Sequence, residues 1–99
     1  MFSYCSSFES IDLSSFNTTN VTSMWKMFYG CRSLISIDLS SFNTANVSNL
    51  KFMFSDCCSL VSIDLSSFNT TNETDTEDIF CGCYSLRMKK DFPNFYLTE

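Results

Sequence analysis

The chain has 99 residues, of which 44% are hydrophobic and 16% aromatic, enough to bury one core while part of the apolar surface stays exposed. Two glycines, one proline and 17% charged residues exclude a collagen-like or disordered composition. A formal net charge of −5 with no basic stripe gives no electrostatic reason to expect nucleic acid or an anionic membrane as partner, since both attract basic surfaces.

The amino-terminal MFSYCSSFES has neither a basic n-region nor a long apolar h-region, so no signal peptide is expected. No apolar run approaches the roughly 20 residues of a membrane span, and membrane insertion is not expected. Met1-Phe2 matches Met27-Phe28, so the chain begins inside a repeating unit and reads as a fragment of a longer array.

That unit is IDLSSFNTTNVTSM at Ile11, IDLSSFNTANVSNL at Ile37 and IDLSSFNTTNETDT at Ile63, a period of 26. Residues outside the block follow the same columns: Phe2, Phe28, Phe54 and Phe80; Cys5, Cys31, Cys57 and Cys83; Phe8, Leu34, Leu60 and Leu86. Such a period predicts a solenoid, here one domain over 1–99 of about 3.7 repeats.

In chain order, alternating apolar and polar residues predict short strands near 8–14, 34–40, 60–66 and 86–92. In the second of these, Leu34, Ile37 and Leu39 give L-x-x-I-x-L, with Ile37 and Leu39 alternating against Ser36, Asp38 and Ser40. After the turn-prone SSFNTAN, Val47, Leu50, Met53, Phe54 and Cys57 fall on one face of a helix, with Asn46 at its amino-terminal cap and Asn20 and Asn72 in the same place. The third helix carries Glu73 and Thr76 at core positions and is expected to be frayed or exposed. The fourth strand has Lys89 and Asp91 in apolar columns, and Phe92-Pro93 then ends the pattern as a carboxy-terminal cap would. The expected fold is therefore α/β: a solenoid with about four short parallel strands backed by short helices or helical turns.

The pattern L-x-x-I-x-L, then S-S-F-N-T-x-N-V and M-F-x-x-C-x-S-L, resembles the BspA-like leucine-rich repeat surface proteins, in the variant of mycoplasma and related bacterial surface lipoproteins. The resemblance covers residues 1 to about 88. It implies a leucine-rich-repeat-like α/β solenoid with the strands on its concave face, a cell-surface or extracellular location and an adhesion or protein-binding role, with a host or extracellular-matrix protein as partner. One departure is that Phe42 stands where the leucine-rich pattern has Asn, with Asn43 one place later. With no signal peptide in the chain, a cytoplasmic location also stays open.

Alternation along the strands makes Ser10, Asp12 and Ser14 project from the concave face beside Ser36, Asp38, Ser40 and Ser62, Asp64, Ser66. These nine residues are the candidate binding surface. Carboxylates about 5 Å apart repel by roughly 0.8 kcal/mol in water and about 3 at an effective dielectric of 20. Calcium would relieve this, but a flat row of single carboxylates is a poor cage for an ion that wants six or more oxygens, so no metal or cofactor is expected. Four strands offer on the order of 450 Å², below the roughly 800 Å² per partner of a stable interface, so affinity would come from a longer array or many copies.

The remaining motifs are absorbed by the period. The cysteine column reads as stacked buried thiols, although successive columns within about 7 Å would also admit disulfides. Cys58 and Cys81 lie off the column, and Cys81-Gly82-Cys83 is a weak metal or redox motif. The Phe columns at 2, 28, 54, 80 and at 16, 42, 68 read as core spines. Asn17, Asn20, Asn46, Asn69 and Asn72 sit in N-x-S/T sequons that arise from a repeated turn. With no His, no Gly-rich phosphate loop and no G-x-S-x-G, no enzyme is expected. The function classes left are an adhesion module, an intracellular interaction scaffold, and a structural fragment that associates end to end through an open edge.

Overall fold

In the computed structural model, which describes residues 9–71 and 73–86, the period of 26 becomes a set of hydrogen bonds between equivalent turns. Met24, Lys26, Phe28 and Gly30 donate their N–H groups to the carbonyls of Asn49, Lys51, Met53 and Ser55, at 2.8 to 3.1 Å. One period on, Leu50, Phe52, Phe54 and Asp56 donate to Asp75, Glu77, Ile79 and Cys81, at 2.7 to 3.2 Å. Parallel bridges at Ser23, Asn49 and Asp75 join the same stacked segments.

The expected α/β solenoid is not formed. Among the described residues there is no helix, and the β-structure consists of isolated bridges. The helix is lost because alternate N–H groups are taken by the neighbouring repeat, and those between them close tight turns: Met27 N to Met24 O at 3.1 Å and Cys31 N to Phe28 O at 3.2 Å. The third residue of each such turn has positive φ: Lys26 (55°), Gly30 (73°), Phe52 (60°), Asp56 (63°), Asp78 (55°) and Gly82 (82°). Positive φ in that place is the mark of a type II turn and is incompatible with a continuing right-handed helix.

The expected strands fail for a different reason. Asp12, Asp38 and Asp64 accept the N–H of Ser14, Ser40 and Ser66 through Oδ1 at 3.0, 3.0 and 2.9 Å. This local bond removes the donor a sheet ladder would need. Side-chain alternation survives without the ladder, so Leu13, Leu39 and Leu65 are buried while the intervening Asp and Ser are exposed. Asn46 is no helix cap either, since its Nδ2 donates to Thr19 O at 2.7 Å in the preceding repeat. The expected strand over 86–92 beyond Leu86, its Arg87, Lys89 and Lys90, and Phe2, Cys5, Phe8 and Asn72 lie outside the described residues.

The core is built from columns. Phe28 stacks on Phe54 at 5.5 Å and 8°, Phe54 on Phe80 at 5.9 Å and 14°, and Phe42 on Phe68 at 6.3 Å and 7°. Phe28 and Phe42, 6.5 Å apart, join the two stacks into one cluster with Leu34, Leu50, Met53 and Leu60. A radius of gyration of 12.2 Å matches the roughly 13 Å of a compact 100-residue domain.

Candidate functional site

Each Ile-Asp-Leu-Ser-Ser segment enters a turn that holds its own Asp. Leu13 O accepts from Phe16 N at 3.0 Å, Leu39 O from Phe42 N at 3.0 Å and Leu65 O from Phe68 N at 2.9 Å, so the Asp side chain is pinned just before the bend. Ser14 Oγ adds a second donor to Asp12 Oδ1 at 2.7 Å. The following serines tie the units together, with Ser41 Oγ donating to Leu13 O at 3.0 Å and Ser67 Oγ to Leu39 O at 2.8 Å.

All nine residues of the expected binding surface are exposed. Asp12, Ser14, Asp38 and Ser40 come together around an open depression of about 310 Å³, floored by Ile11, Leu13 and Ser41. Asp64 with Ser66 forms the next unit of the row, close enough for its charge to act on Asp38. Ser10, Ser36 and Ser62 are exposed but do not line the depression.

Hydrogen bonds set the charge of this row. The Ser14 amide and hydroxyl hold the Asp12 carboxyl below its ordinary value. The hydroxyl and amide of Ser40 do the same for Asp38, against the opposing charges of Asp12 and Asp64. Donation to the ionised form outweighs desolvation at both carboxylates, and at Asp38 it also outweighs like-charge repulsion. Among the described residues, no group of three or more His, Cys, Asp or Glu has the geometry to hold a metal ion.

The cysteine column is a row of thiols. Cys57 Sγ donates to Phe28 O at 3.1 Å and Cys83 Sγ to Phe54 O at 3.0 Å, each one repeat back. Hydrogen bonding with Cys31, reinforced by burial, pushes the Cys57 thiol far up, and burial raises Cys83 to about 11. Such thiols are poor nucleophiles at neutral pH. Cys81 is exposed and Cys58 half-buried, and both are free thiols.

Two features escaped the sequence reading. One is a buried threonine column: Thr18 Oγ1 accepts from Asn43 N at 2.8 Å and donates to Asn43 O at 3.0 Å, taking the place of the Asn ladder of leucine-rich repeats. Its signal was the invariant Thr two places after each Phe of the SSFNT block. The other is an aromatic and cationic ridge, in which Lys26 Nζ lies 4.7 Å from the Trp25 ring, 4.9 Å from Tyr29 and 5.8 Å from Phe52. Lys51 Nζ, 3.3 Å from Glu77 Oε1, extends it. The columns concerned carry Trp, Lys, Glu and Lys, Phe, Asp in the three repeats, so no periodic signal marked them.

No described helix is long and apolar enough to cross a membrane. Neither the curated proteins nor the solved structures contain a significant match to the chain. A family match spans residues 1–96 and takes in the three IDLSSFNT units with their Asp, Thr, Phe and Cys columns. The chain belongs to the DUF285 family, described as Mycoplasma protein of unknown function.

Proposed function

We propose that the chain is a non-enzymatic protein-binding or adhesion module of a BspA-like surface protein, and that it meets its partner through the face carrying Asp12, Asp38 and Asp64. The observation that carries this reading is the pinning of successive carboxylates by Ser14, Ser40 and Ser66, which presents fixed negative charges on a repeated register. Preorganised charges of one sign favour a basic protein surface by steering and by register. The likeness of the repeat to bacterial surface proteins supports an external location. Binding of the chain to immobilised fibronectin, laminin and collagen, compared with the D12N/D38N/D64N variant, tests the reading. A loss of tenfold or more in the variant supports it. Equal binding by the two proteins, or binding by neither, overturns it.

A second reading, an intracellular interaction scaffold, is favoured by the free thiols at Cys57, Cys58, Cys81 and Cys83, which suit a reducing compartment. Surface biotinylation of producing cells separates the two, since a scaffold inside the cell stays unlabelled.

A further inference from the structure

The cysteine column runs along a set of shared carbonyls. Phe54 O accepts the Cys57 amide at 3.1 Å and the Cys83 thiol at 3.0 Å, so the sulfur of one repeat and the backbone of the repeat before it meet at a single oxygen. The Cys57 backbone also hydrogen-bonds the Cys83 sulfur. Phe54 N to Ile79 O at 3.0 Å and Asp56 N to Cys81 O at 2.7 Å hold the two turns one hydrogen bond apart. Segments bonded in this way lie about 4.8 Å apart, inside the roughly 4.4–6.8 Å between Cα atoms that a disulfide spans. Residues 57 and 83 stand one period apart and so lie opposite each other.

The two thiols differ in access. Cys57 is fully buried, whereas Cys83 is half-buried and packs at the margin of the core cluster. Cys31, the other neighbour of Cys57, is as deeply buried as Cys57 itself. Among the described residues of the column, Cys83 is therefore the one a solute reaches first.

We propose that Cys57 and Cys83 are a latent disulfide, which closes when the folded chain meets a low-molecular-weight disulfide oxidant and joins the second and third IDLSSFNT units. Cys83 Sγ loses its proton and attacks one sulfur of the oxidant RSSR, forming a mixed disulfide and releasing one thiol RSH. Cys57 Sγ then leaves the Phe28 carbonyl, gives up its proton and attacks Cys83 Sγ, which breaks the bond to R and releases a second RSH. Two protein sulfurs are oxidised and one RSSR is reduced to two RSH. The bond closes a loop of one period in the unfolded chain, so it stabilises the array wherever the surroundings are oxidising and is absent where they are reducing. This inference is independent of the acidic face.

The test uses the folded chain carrying Cys58→Ser and Cys81→Ser, which removes the thiols outside the column; Ser already stands at the place of Cys81 one period earlier, at Ser55. After incubation with oxidised glutathione and alkylation of the remaining thiols, a glutamate-specific protease parts Cys57 from Cys83 at Glu73 and Glu77. The expected products are a disulfide between the two peptides and no glutathione retained on Cys83. The oxidised chain is expected to melt on the order of 10 °C above the reduced one, a gain that dithiothreitol removes. Cys57→Ala in the same background is expected to stop at a glutathione adduct on Cys83, and the wild-type chain to give the Cys57–Cys83 link. Because the first measurement keeps every column cysteine in place, misfolding of the Ala variant cannot hide the result. Glutathione still held by Cys83 with Cys57 present, two unreacted thiols, a link from either residue to any other cysteine, or an oxidised chain that melts lower than the reduced one would each overturn the proposal.

Discussion

Thr44 Oγ1 accepts the N–H of Asn69 at 2.8 Å and donates to the Asn69 carbonyl at 3.3 Å, so one hydroxyl pairs both polar groups of a backbone unit in the next repeat. The residue is 1% exposed, which keeps water from substituting. Thr44→Val keeps the shape and strands both groups of Asn69, and is expected to cost about 1–3 kcal/mol. Thr44→Ser keeps the hydroxyl and is expected to cost about 1 kcal/mol for the lost methyl. Urea midpoints for the two variants check the order, and a Ser variant as weak as the Val variant would reject the hydroxyl's role.

Phe54 is the centre of a three-ring stack, fully buried between Phe28 and Phe80. Phe54→Ala is expected to destabilise by about 3–5 kcal/mol through lost burial and the cavity left behind. Against a stability of about 5–15 kcal/mol for a domain, that loss is a large share of the total, and Phe54→Leu should be visibly milder. Circular dichroism melts would show the ranking.

Gly82 has φ of 82°, and a Cβ there would touch Asp56 Oδ1 and stand 3.2 Å from Asp56 Cα and N. Gly82→Ala is expected to cost about 1–2 kcal/mol from the left-handed backbone alone, with the contact in addition. Asp56→Gly placed in that background should recover the part owed to the side-chain contact and leave the backbone part. A double-mutant cycle on unfolding free energies measures the split, and zero coupling between the two sites would contradict the geometry.

The Asp12 and Asp38 carboxyls are held below their ordinary value of 3.8 by donors from Ser14 and Ser40. A lowered folded pKa means the unfolded chain binds protons more readily, so the contribution is present above about pH 4 and disappears as pH falls through the folded value. Stability is therefore expected to decline on acidification from pH 5 to pH 2, and the D12N/D38N variant to decline less steeply. Urea midpoints across that range test it; parallel slopes would reject the assignment.

Cys83 is raised to about 11 by burial, above its ordinary 9.0. A raised thiol pKa stabilises below pH 9 and ceases to do so as pH climbs through the folded value, so alkaline titration from 9 to 11 should weaken the fold. At neutral pH, exposed Cys81 should react first with a thiol reagent, while Cys57, fully buried, should react at the rate of unfolding. Time-resolved labelling with mass spectrometry orders the sites.

Much of the interior was legible from the period. Val47, Leu50, Met53, Phe54 and Cys57 all lie in the core, and Ser36, Asp38 and Ser40 all face solvent. Periodicity nevertheless named the wrong elements. Leu50 and Met53 are the two ends of one turn and Phe54 and Cys57 the ends of the next, so spacings of three, one and three imitate a helical face. A lone sequence carries side-chain spacing but not the sign of φ, and Lys26, Phe52, Asp56 and Asp78 adopt the left-handed conformation without being glycine.

What the sequence determined by itself is the register: which residue types recur in column, and hence that Asp12, Asp38 and Asp64 share a row and that the cysteines stack. Identical side chains at equal spacing make any favourable contact between two repeats available to the next pair as well. What only the tertiary structure decided is where the backbone hydrogen bonds go. An amide such as Phe28 N can close a helical turn or reach the Met53 carbonyl one repeat away, and both choices bury the same apolar atoms. Burial energy does not distinguish them, so the outcome rests on the local competition from Asx turns and left-handed residues, and that competition is resolved only when neighbouring repeats are in place.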